Sequence, residues 1–194
     1  MAFLTAAGSR QARLTRGATL AALLVLLPFS GLRSQDVHPT ADQVKAVFLF
    51  NFAQFVDWPS AAFAGPASPV VIGIIGEDPF GAYLDETVRG ETLRGRALVV
   101  RRFHQNEDVR RCHIVFLAQS ERDRIGTILE GVKGRPILTV SDDPGFLRRG
   151  GMVGFAFERN RVRVRINLVA VTAANLTVSS KLLRAAEIVT PGIP

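Results

Sequence analysis

The stretch Pro69-Val-Val-Ile-Gly-Ile-Ile-Gly76 decides the fold class of this 194-residue chain. It is a continuous apolar run between turn-forming residues. A strand that is apolar at every position is buried on both faces, as in parallel sheets that helices cover on two sides. Gly73 lies inside the run, where the absence of a side chain eases close packing. The run therefore predicts a central strand of an α/β domain.

Helices and strands alternate on the C-terminal side of this run. Asp78-Pro79 supplies a cap and a first-turn proline for a helix that ends near Val88. The segment Ser120 to Asp123 is similar to a capping box and predicts a helix that ends near Gly131 or Gly134. The predicted strands between and after these helices are Arg96 to Phe103, His113 to Ala118 and Pro136 to Val140. Such alternation favours one domain with a mostly parallel sheet covered by helices on both faces.

The C-terminal third predicts a hairpin and a closing helix. The turn signal is Arg159-Asn160, which separates two apolar-rich segments. The hairpin is expected to add an antiparallel edge to the sheet. The expected elements are a short helix from Asp143-Pro144 to Arg148, strands at Met152 to Phe157 and Val162 to Leu168, and a helix from Val169 to Ile188 with a break at Asn175 or Thr177.

An apolar segment ahead of the first strand predicts a helix from about Thr40 to Val56. Thr40 or Asp42 can cap its start, and Pro59 stops it. Its apolar residues lie around nearly the whole circumference of the helix. The helix must therefore be buried in the core or contact a second chain, as in a homodimer. The residues expected in this core or self-association surface are Phe48, Phe52, Phe55 and Trp58.

The first residues are typical of a secretory signal. Arginines at positions 10, 13 and 16 precede a short apolar run from Ala18 to Phe29, and small residues follow it. The run is shorter than the roughly 20 apolar residues that cross a bilayer. A buried helix or an uncleaved anchor is the alternative. We expect a signal peptide over residues 1–34, a periplasmic location, and one α/β domain over residues 38–190.

The charge balance argues against a nucleic-acid partner. The chain carries 24 basic and 17 acidic residues, a formal charge of +7. Four of the basic residues and none of the acidic ones precede Asp36, so the remainder carries a charge of +3. A mildly basic exported domain lacks the strong positive patch of a nucleic-acid binder.

The chain contains no motif of a familiar catalytic class. Glu77-Asp78 is similar to the acidic pair of phosphoryl-accepting receiver domains, but the third strand ends in Ala118-Gln119-Ser120, without an acceptor aspartate. Cys112, the sole cysteine, is adjacent to His113, and adjacent strand residues face opposite sides, so the two cannot act as nucleophile and base if both lie in the strand. We expect no catalytic residue, no metal and no cofactor. A cryptic enzyme assembled from distant residues is the least favoured alternative.

Three arginines form the first candidate binding surface. Arg161, Arg163 and Arg165 alternate with apolar residues, so on a strand they make a basic stripe on the outer face. One interpretation is a charged edge that discourages aggregation between strands. The other is a surface for an anionic ligand or an acidic partner.

Polar residues that follow the predicted strands form the second candidate. Ser141 and Asp142 follow the fourth strand, and Glu77, Asp78 and Ser120 lie at comparable positions. Ligands of open α/β sheets bind outside the carboxyl ends of the strands, so a polar pocket for a small molecule is expected there. Helix capping explains each of these residues equally well.

Seven segments occur in a characteristic order along the chain. They are Val44 to Pro59, Gly76 to Gly81, Cys112 to Leu117 with Ser120-Glu121, Leu138 to Asp142 with Gly145-Phe146, Gly150 to Val153, Arg165 to Leu168, and Leu176 to Leu183. Together they span about Ala41 to Ile188, and in this order they resemble the YfiR family of periplasmic regulatory proteins.

The resemblance implies a protein that represses a membrane diguanylate cyclase of the YfiN type by contact with the cyclase's periplasmic sensor domain. Cyclic-di-GMP output and biofilm formation would then fall. Relatives often carry a cysteine in the first strand that pairs with the one in the Cys-His motif. Gly73 occupies that position here, so the resemblance implies no such bridge in this chain. The alternative function is a periplasmic small-molecule binding protein that serves a sensor kinase or another receptor.

Overall fold

An eight-stranded sheet organises the chain in the computed structural model, which describes residues 39–104 and 108–190. In spatial order its strands are β10 (Glu187–Val189), β8 (Arg161–Asn167), β7 (Val153–Glu158), β6 (Leu138–Ser141), β5 (Ile114–Leu117), β2 (Val70–Ile75), β4 (Arg96–Phe103) and β3 (Thr92–Leu93). Most neighbours run parallel, and the β7–β8 and β3–β4 pairs are antiparallel. The predicted mostly parallel α/β domain is thereby confirmed. The predicted signal segment and His38 lie outside the described residues.

Strand β2 occupies the interior position that its sequence predicts. All six of its residues are buried, and it pairs in parallel with β5 on one side and β4 on the other. Burial on both faces follows from helices that cover both sides of the sheet.

Helices divide between the two faces of the sheet. The first face packs against α1 (Ala41–Phe55), α2 (Ala82–Val88), α4 (Leu168–Ala173) and α5 (Ser180–Ala185), and the second against α3 (Ile125–Val132) and two 3₁₀ segments, Gln119–Arg124 and Leu147–Arg149. Each face has its own hydrophobic cluster, the first of which is the larger. This arrangement leaves the carboxyl ends of β2, β5 and β6 at one edge of the sheet.

Helix α1 begins with a complete capping box. The Gln43 amide N–H donates to Thr40 Oγ1 at 3.2 Å, and the Thr40 N–H donates to Gln43 Oε1 at 2.8 Å. Ala46, Leu49, Phe52 and Ala53 are buried, while Val47 and Gln54 are exposed. The helix is thus covered on most of its circumference.

The predicted break at Asn175 in the C-terminal helix is confirmed, but the residues that follow it depart from the prediction. Asn175 adopts a positive φ of 55° and ends the helical path, after which β9 (Thr177–Val178) pairs antiparallel with β1 (Val56–Asp57). The chain then forms α5 and strand β10, which pairs in parallel with β8. Because β10 pairs with the last residues of β8, the hairpin forms the edge of the sheet only toward its turn.

Two predicted helix starts are also wrong. Asp78 Oδ1 accepts from the Phe80 N–H at 2.8 Å and forms a turn, so α2 begins only at Ala82. Ser120 does not cap a helix, because its Oγ accepts from the Glu77 N–H at 2.9 Å across the sheet edge. Asp78 makes the local bond that a cap would make, but a turn follows it in place of a helix, whereas Ser120 bonds to a backbone group 43 residues away.

Candidate functional site

A crevice of about 340 Å³ opens at the carboxyl ends of β2, β5 and β6. Its lining comprises Asp42, Glu77, Asp78, Pro79, Phe116, Ala118, Gln119, Ser120 and Asp142. Four of the residues that the sequence places at this edge, Glu77, Asp78, Ser120 and Asp142, line it together. They come together because the strands that precede them run parallel, so their ends meet at one edge.

Ser141 lies beneath the crevice and is not part of its lining. Its side chain is fully buried, and its Oγ donates to the Leu117 carbonyl at 2.7 Å and accepts from the Asp143 N–H at 3.1 Å. The hydroxyl therefore joins the ends of β5 and β6, and its hydrogen bonds are already made within the protein.

Asp142 is tied to the N-terminal helix by a lysine that the sequence analysis did not single out. Lys45 Nζ lies 2.7 Å from Asp142 Oδ2 and 2.9 Å from Asp42 Oδ1. Burial works to lower the pKa of Lys45, but the hydrogen bonds to Asp142 and Asp42 outweigh it, so this pKa is raised above 10.5. The signal that could have found Lys45 is its position as the one cation on a helix that is rich in apolar residues.

The carboxylates of Asp142 and Asp78 differ in how the protein compensates them. Asp142 Oδ1 is buried and has no hydrogen-bond partner among the described residues. Asp78 is held by Arg102, whose Nε donates to Asp78 Oδ2 at 2.8 Å and whose guanidinium also binds Asp85. Hydrogen bonding to Asp85 raises the pKa of Arg102, so this side chain stays charged. The crevice therefore presents carboxylates whose charge is only partly compensated.

The basic stripe lies on the hairpin of β7 and β8. Its turn, Arg159-Asn160, has two positive φ angles of 48° and 61°, as the tight turn of a hairpin requires. Val164 and Ile166 are buried and Val162 is half-buried, so the arginines occupy the opposite face.

The three arginines of the stripe are not equivalent. Arg165 Nη2 binds Glu158 Oε1 at 2.6 Å, and its Nε binds Glu187 Oε2 at 3.0 Å. Arg161 and Arg163 are exposed and form no ion pair with any residue that the structure describes. The free positive charge of the stripe is thus concentrated at the turn end of the hairpin.

The aromatic residues singled out on and after α1 divide into core and partly buried positions. Phe52 is fully buried and stacks on Phe155 at 5.9 Å between ring centroids. Phe48 and Phe55 are half-buried, and Phe48 also packs on Phe155. Trp58 donates from Nε1 to the His113 carbonyl at 3.2 Å. Phe52 and Trp58 hold the first face of the sheet together.

Cys112 and His113 lie in different environments on opposite faces of the sheet. Cys112 belongs to the second hydrophobic cluster, where burial raises the pKa of its thiol to about 12. His113 stacks on Phe63 at 4.6 Å on the first face. A thiol that stays protonated, and faces away from the imidazole, has no means of acting as an activated nucleophile.

The described residues contain neither a candidate metal cluster nor a candidate membrane span. No group of three or more histidine, cysteine or acidic side chains there is arranged to hold a metal ion. No described helix combines the length and apolar character that crossing a membrane requires.

Comparison with known proteins identifies the family of the chain. No curated protein matches it. Residues 42–187 match the YfiR/HmsC-like family. This range contains the crevice, the hairpin and the described helices apart from Ala41, together with all of the sheet but the last two residues of β10. Proteins of this family are periplasmic regulators rather than enzymes. The chain therefore belongs to the YfiR/HmsC-like family.

Proposed function

We propose that this protein represses a membrane-bound diguanylate cyclase from the periplasm, and that it does so by contact with the cyclase's periplasmic sensor domain. The observation that carries the proposal is the family match, which spans residues 42–187. Repression would lower the production of cyclic-di-GMP and, with it, biofilm formation.

The basic end of the hairpin is the contact surface that we favour. Arg161 and Arg163 are exposed and have no acidic partner among the described residues, whereas Arg165 is already paired. A guanidinium group forms strong charge-assisted hydrogen bonds with carboxylates. Charged patches of this kind speed the encounter with a complementary partner and fix its orientation.

Action without catalytic turnover agrees with the chemistry of the candidate groups. Cys112 and His113 face opposite sides of the sheet, and Asp78 is engaged by Arg102. The nucleophile and base that covalent catalysis needs within hydrogen-bond reach do not come together in either place.

The alternative is a small-molecule binding protein that serves a sensor kinase or another receptor. The crevice favours it, because Asp142 Oδ1 is buried there without a described partner. A ligand with a hydrogen-bond donor would satisfy that oxygen, since a buried acceptor left unpaired is costly.

Capture of membrane proteins separates the two functions. The protein from Asp36 onward, carrying an affinity tag, is mixed with solubilised membranes, and the retained proteins are identified. We expect a cyclase with a periplasmic domain, whose retention falls as salt rises, because salt screens exposed charges. The double variant Arg161→Glu with Arg163→Glu should retain less of it.

The matched control reverses two exposed arginines outside the hairpin, Arg111 and Arg135. Arg111→Glu with Arg135→Glu changes the net charge equally and should retain as much cyclase as the wild type. Retention of a sensor kinase in place of a cyclase would favour the small-molecule alternative.

A further inference from the structure

The hairpin leaves a short stretch of sheet edge without a neighbouring strand among the described residues. Strand β10 pairs with β8 only at Arg165, Ile166 and Asn167. Residues 161–164 pair with β7 on one side, and no described strand lies on their other side. We call residues 161–164 of β8 the open edge.

Backbone groups of two valines point outward along the open edge. The Asn167 N–H donates to the Met152 carbonyl at 2.8 Å, so the backbone of Asn167 faces the β7 side. Successive residues of an antiparallel strand direct their N–H and C=O groups to alternate sides. Val162 therefore directs both of its groups, and Val164 its N–H, away from β7 toward the position that an additional strand would take, while the parallel pair of Arg165 with Glu187 occupies the Val164 carbonyl.

The two faces that flank the open edge differ in chemistry. Phe157, which pairs with Val162 across the hairpin, is 61% exposed. It continues the apolar face on which Phe155 packs against Phe48. The opposite face carries Arg161 and Arg163. An apolar surface on one side and uncompensated positive charge on the other thus border the same backbone.

We propose that the open edge accepts an extended segment of the partner protein as an additional β-strand, and that this segment alternates apolar and acidic residues. Its apolar side chains would cover Phe157 and Val162, and its acidic side chains would pair with Arg161 and Arg163. The inference rests on the proposed function, in which the protein acts by protein contact. Addition of a strand to an exposed edge combines backbone hydrogen bonds for affinity with alternate side chains for specificity.

The length of the added strand is limited by the protein itself. Because Glu187 pairs with Arg165, the chain that enters β10 occupies the space beyond Val164. The open edge therefore accommodates about four residues of a partner, as the 3.3 Å rise per strand residue requires.

A second copy of this chain does not fit the open edge. Antiparallel pairing of two β8 strands would place the arginines of one copy opposite those of the other on the same face. Like charges directly opposite each other destabilise a strand pair. A charged edge that served only to prevent aggregation would also not account for the exposed ring of Phe157 beside it.

Two short synthetic peptides test the proposal with the purified protein from Asp36 onward. One alternates valine and glutamate, and the control alternates valine and lysine. We expect the valine–glutamate peptide alone to bind, and to slow hydrogen exchange at the Val162 and Val164 amides by about tenfold or more, because hydrogen-bonded amides exchange only on opening. No binding, or binding without protection of these two amides, would overturn the proposal.

Variants separate strand addition from simple charge attraction. Val162→Pro removes an outward N–H at a position where an edge strand tolerates proline, and it should weaken peptide binding about tenfold. The double variant Arg161→Glu with Arg163→Glu should bind the valine–lysine peptide in place of the valine–glutamate peptide. The control variant Arg111→Glu with Arg135→Glu should still prefer the valine–glutamate peptide. An unaltered preference in the hairpin charge variant would contradict the proposal even if Val162→Pro failed to fold. Because these measurements use peptides and no cyclase, their failure would leave the repressor function standing, with another surface as its contact.

Discussion

At the scale of single residues, His113 is a buried group whose protonation opposes folding. It is 4% exposed, and its Nδ1 accepts from the Val71 N–H at 3.1 Å. Burial, assisted by the positive charge of Arg96, lowers the pKa of His113 from 6.5 to about 4. The unfolded chain therefore binds the proton more readily, so stability is lost as the pH falls from about 6.5 toward 4.

Chemical denaturation at several pH values measures this loss. Between pH 7 and pH 5 we expect the free energy of unfolding to fall by about 1–2 kcal/mol through His113. The variant His113→Asn should be less stable at pH 7, yet should lose correspondingly less stability over the same range. Equal losses in both proteins would contradict this role of His113.

Replacement of Gly73 by cysteine gives a second test at the scale of single residues. A Cβ at position 73 would lie 2.8 Å from Cys112 Sγ, close to the roughly 3 Å that separates these two atoms across a disulfide. We expect Gly73→Cys to form a bridge to Cys112 under oxidising conditions. Titration of thiols in the denatured Gly73→Cys protein should find no free thiol. The control Gly73→Ser, whose side chain crowds Phe103 similarly, should keep the one free thiol of Cys112. Two free thiols in Gly73→Cys would show that the strands cannot accommodate the bridge.

Single residues also show which contacts the sequence pattern can predict and which it cannot. Alternation along a strand predicted opposite faces for Cys112 and His113, and the two do pack on opposite faces of the sheet, although both precede β5 (Ile114–Leu117). The ion pair between Lys45 and Asp142 joins residues 97 positions apart, so no local spacing indicates it. Ser141 was expected in the pocket lining, but its neighbours in space, Leu117 and Asp143, already bind its hydroxyl.

At the scale of elements, α1 is the helix whose burial is most open to test. Phe52→Asp places a charge where the side chain is fully buried, which costs several kcal/mol against a typical stability of about 5–15 kcal/mol. We expect this variant to be unfolded or strongly destabilised in a denaturant titration. Val47→Asp, at a position 38% exposed on the same helix, should change stability by less than about 1 kcal/mol. A folded Phe52→Asp protein would contradict the packing described for α1.

Elements with a long apolar or alternating pattern were predicted, whereas short strands that exist only through distant pairing were not, and two cap-like patterns gave wrong helix starts. The apolar run of β2 and the cap of α1 at Thr40, one of the two caps that the sequence predicted, are complete within a few residues, so both appear in the sequence. Strands β9 and β10 exist because they pair with β1 and β8, and their own short sequences fit a helix as well. The parallel order of strands did predict that Glu77, Asp78, Ser120 and Asp142 gather at one edge.

At the scale of the whole molecule, repression of a cyclase from the periplasm requires that the protein be exported. The basic and then apolar N-terminal residues are typical of a secretory signal. We expect the mature protein in the periplasmic fraction, with a new N-terminus between Gly31 and Asp36. N-terminal sequencing of the fractionated protein measures this directly, and full-length protein in the cytoplasm would contradict it.

The cellular level of cyclic-di-GMP tests the central claim most directly. Deletion of the gene should raise that level, and the wild-type gene should restore it, as should the control Arg111→Glu with Arg135→Glu. The variant Arg161→Glu with Arg163→Glu should fail to restore it although the folded hairpin is retained, because Val162, Val164 and Ile166 still supply its apolar face. An unchanged cyclic-di-GMP level in the deletion strain would contradict the repressor function.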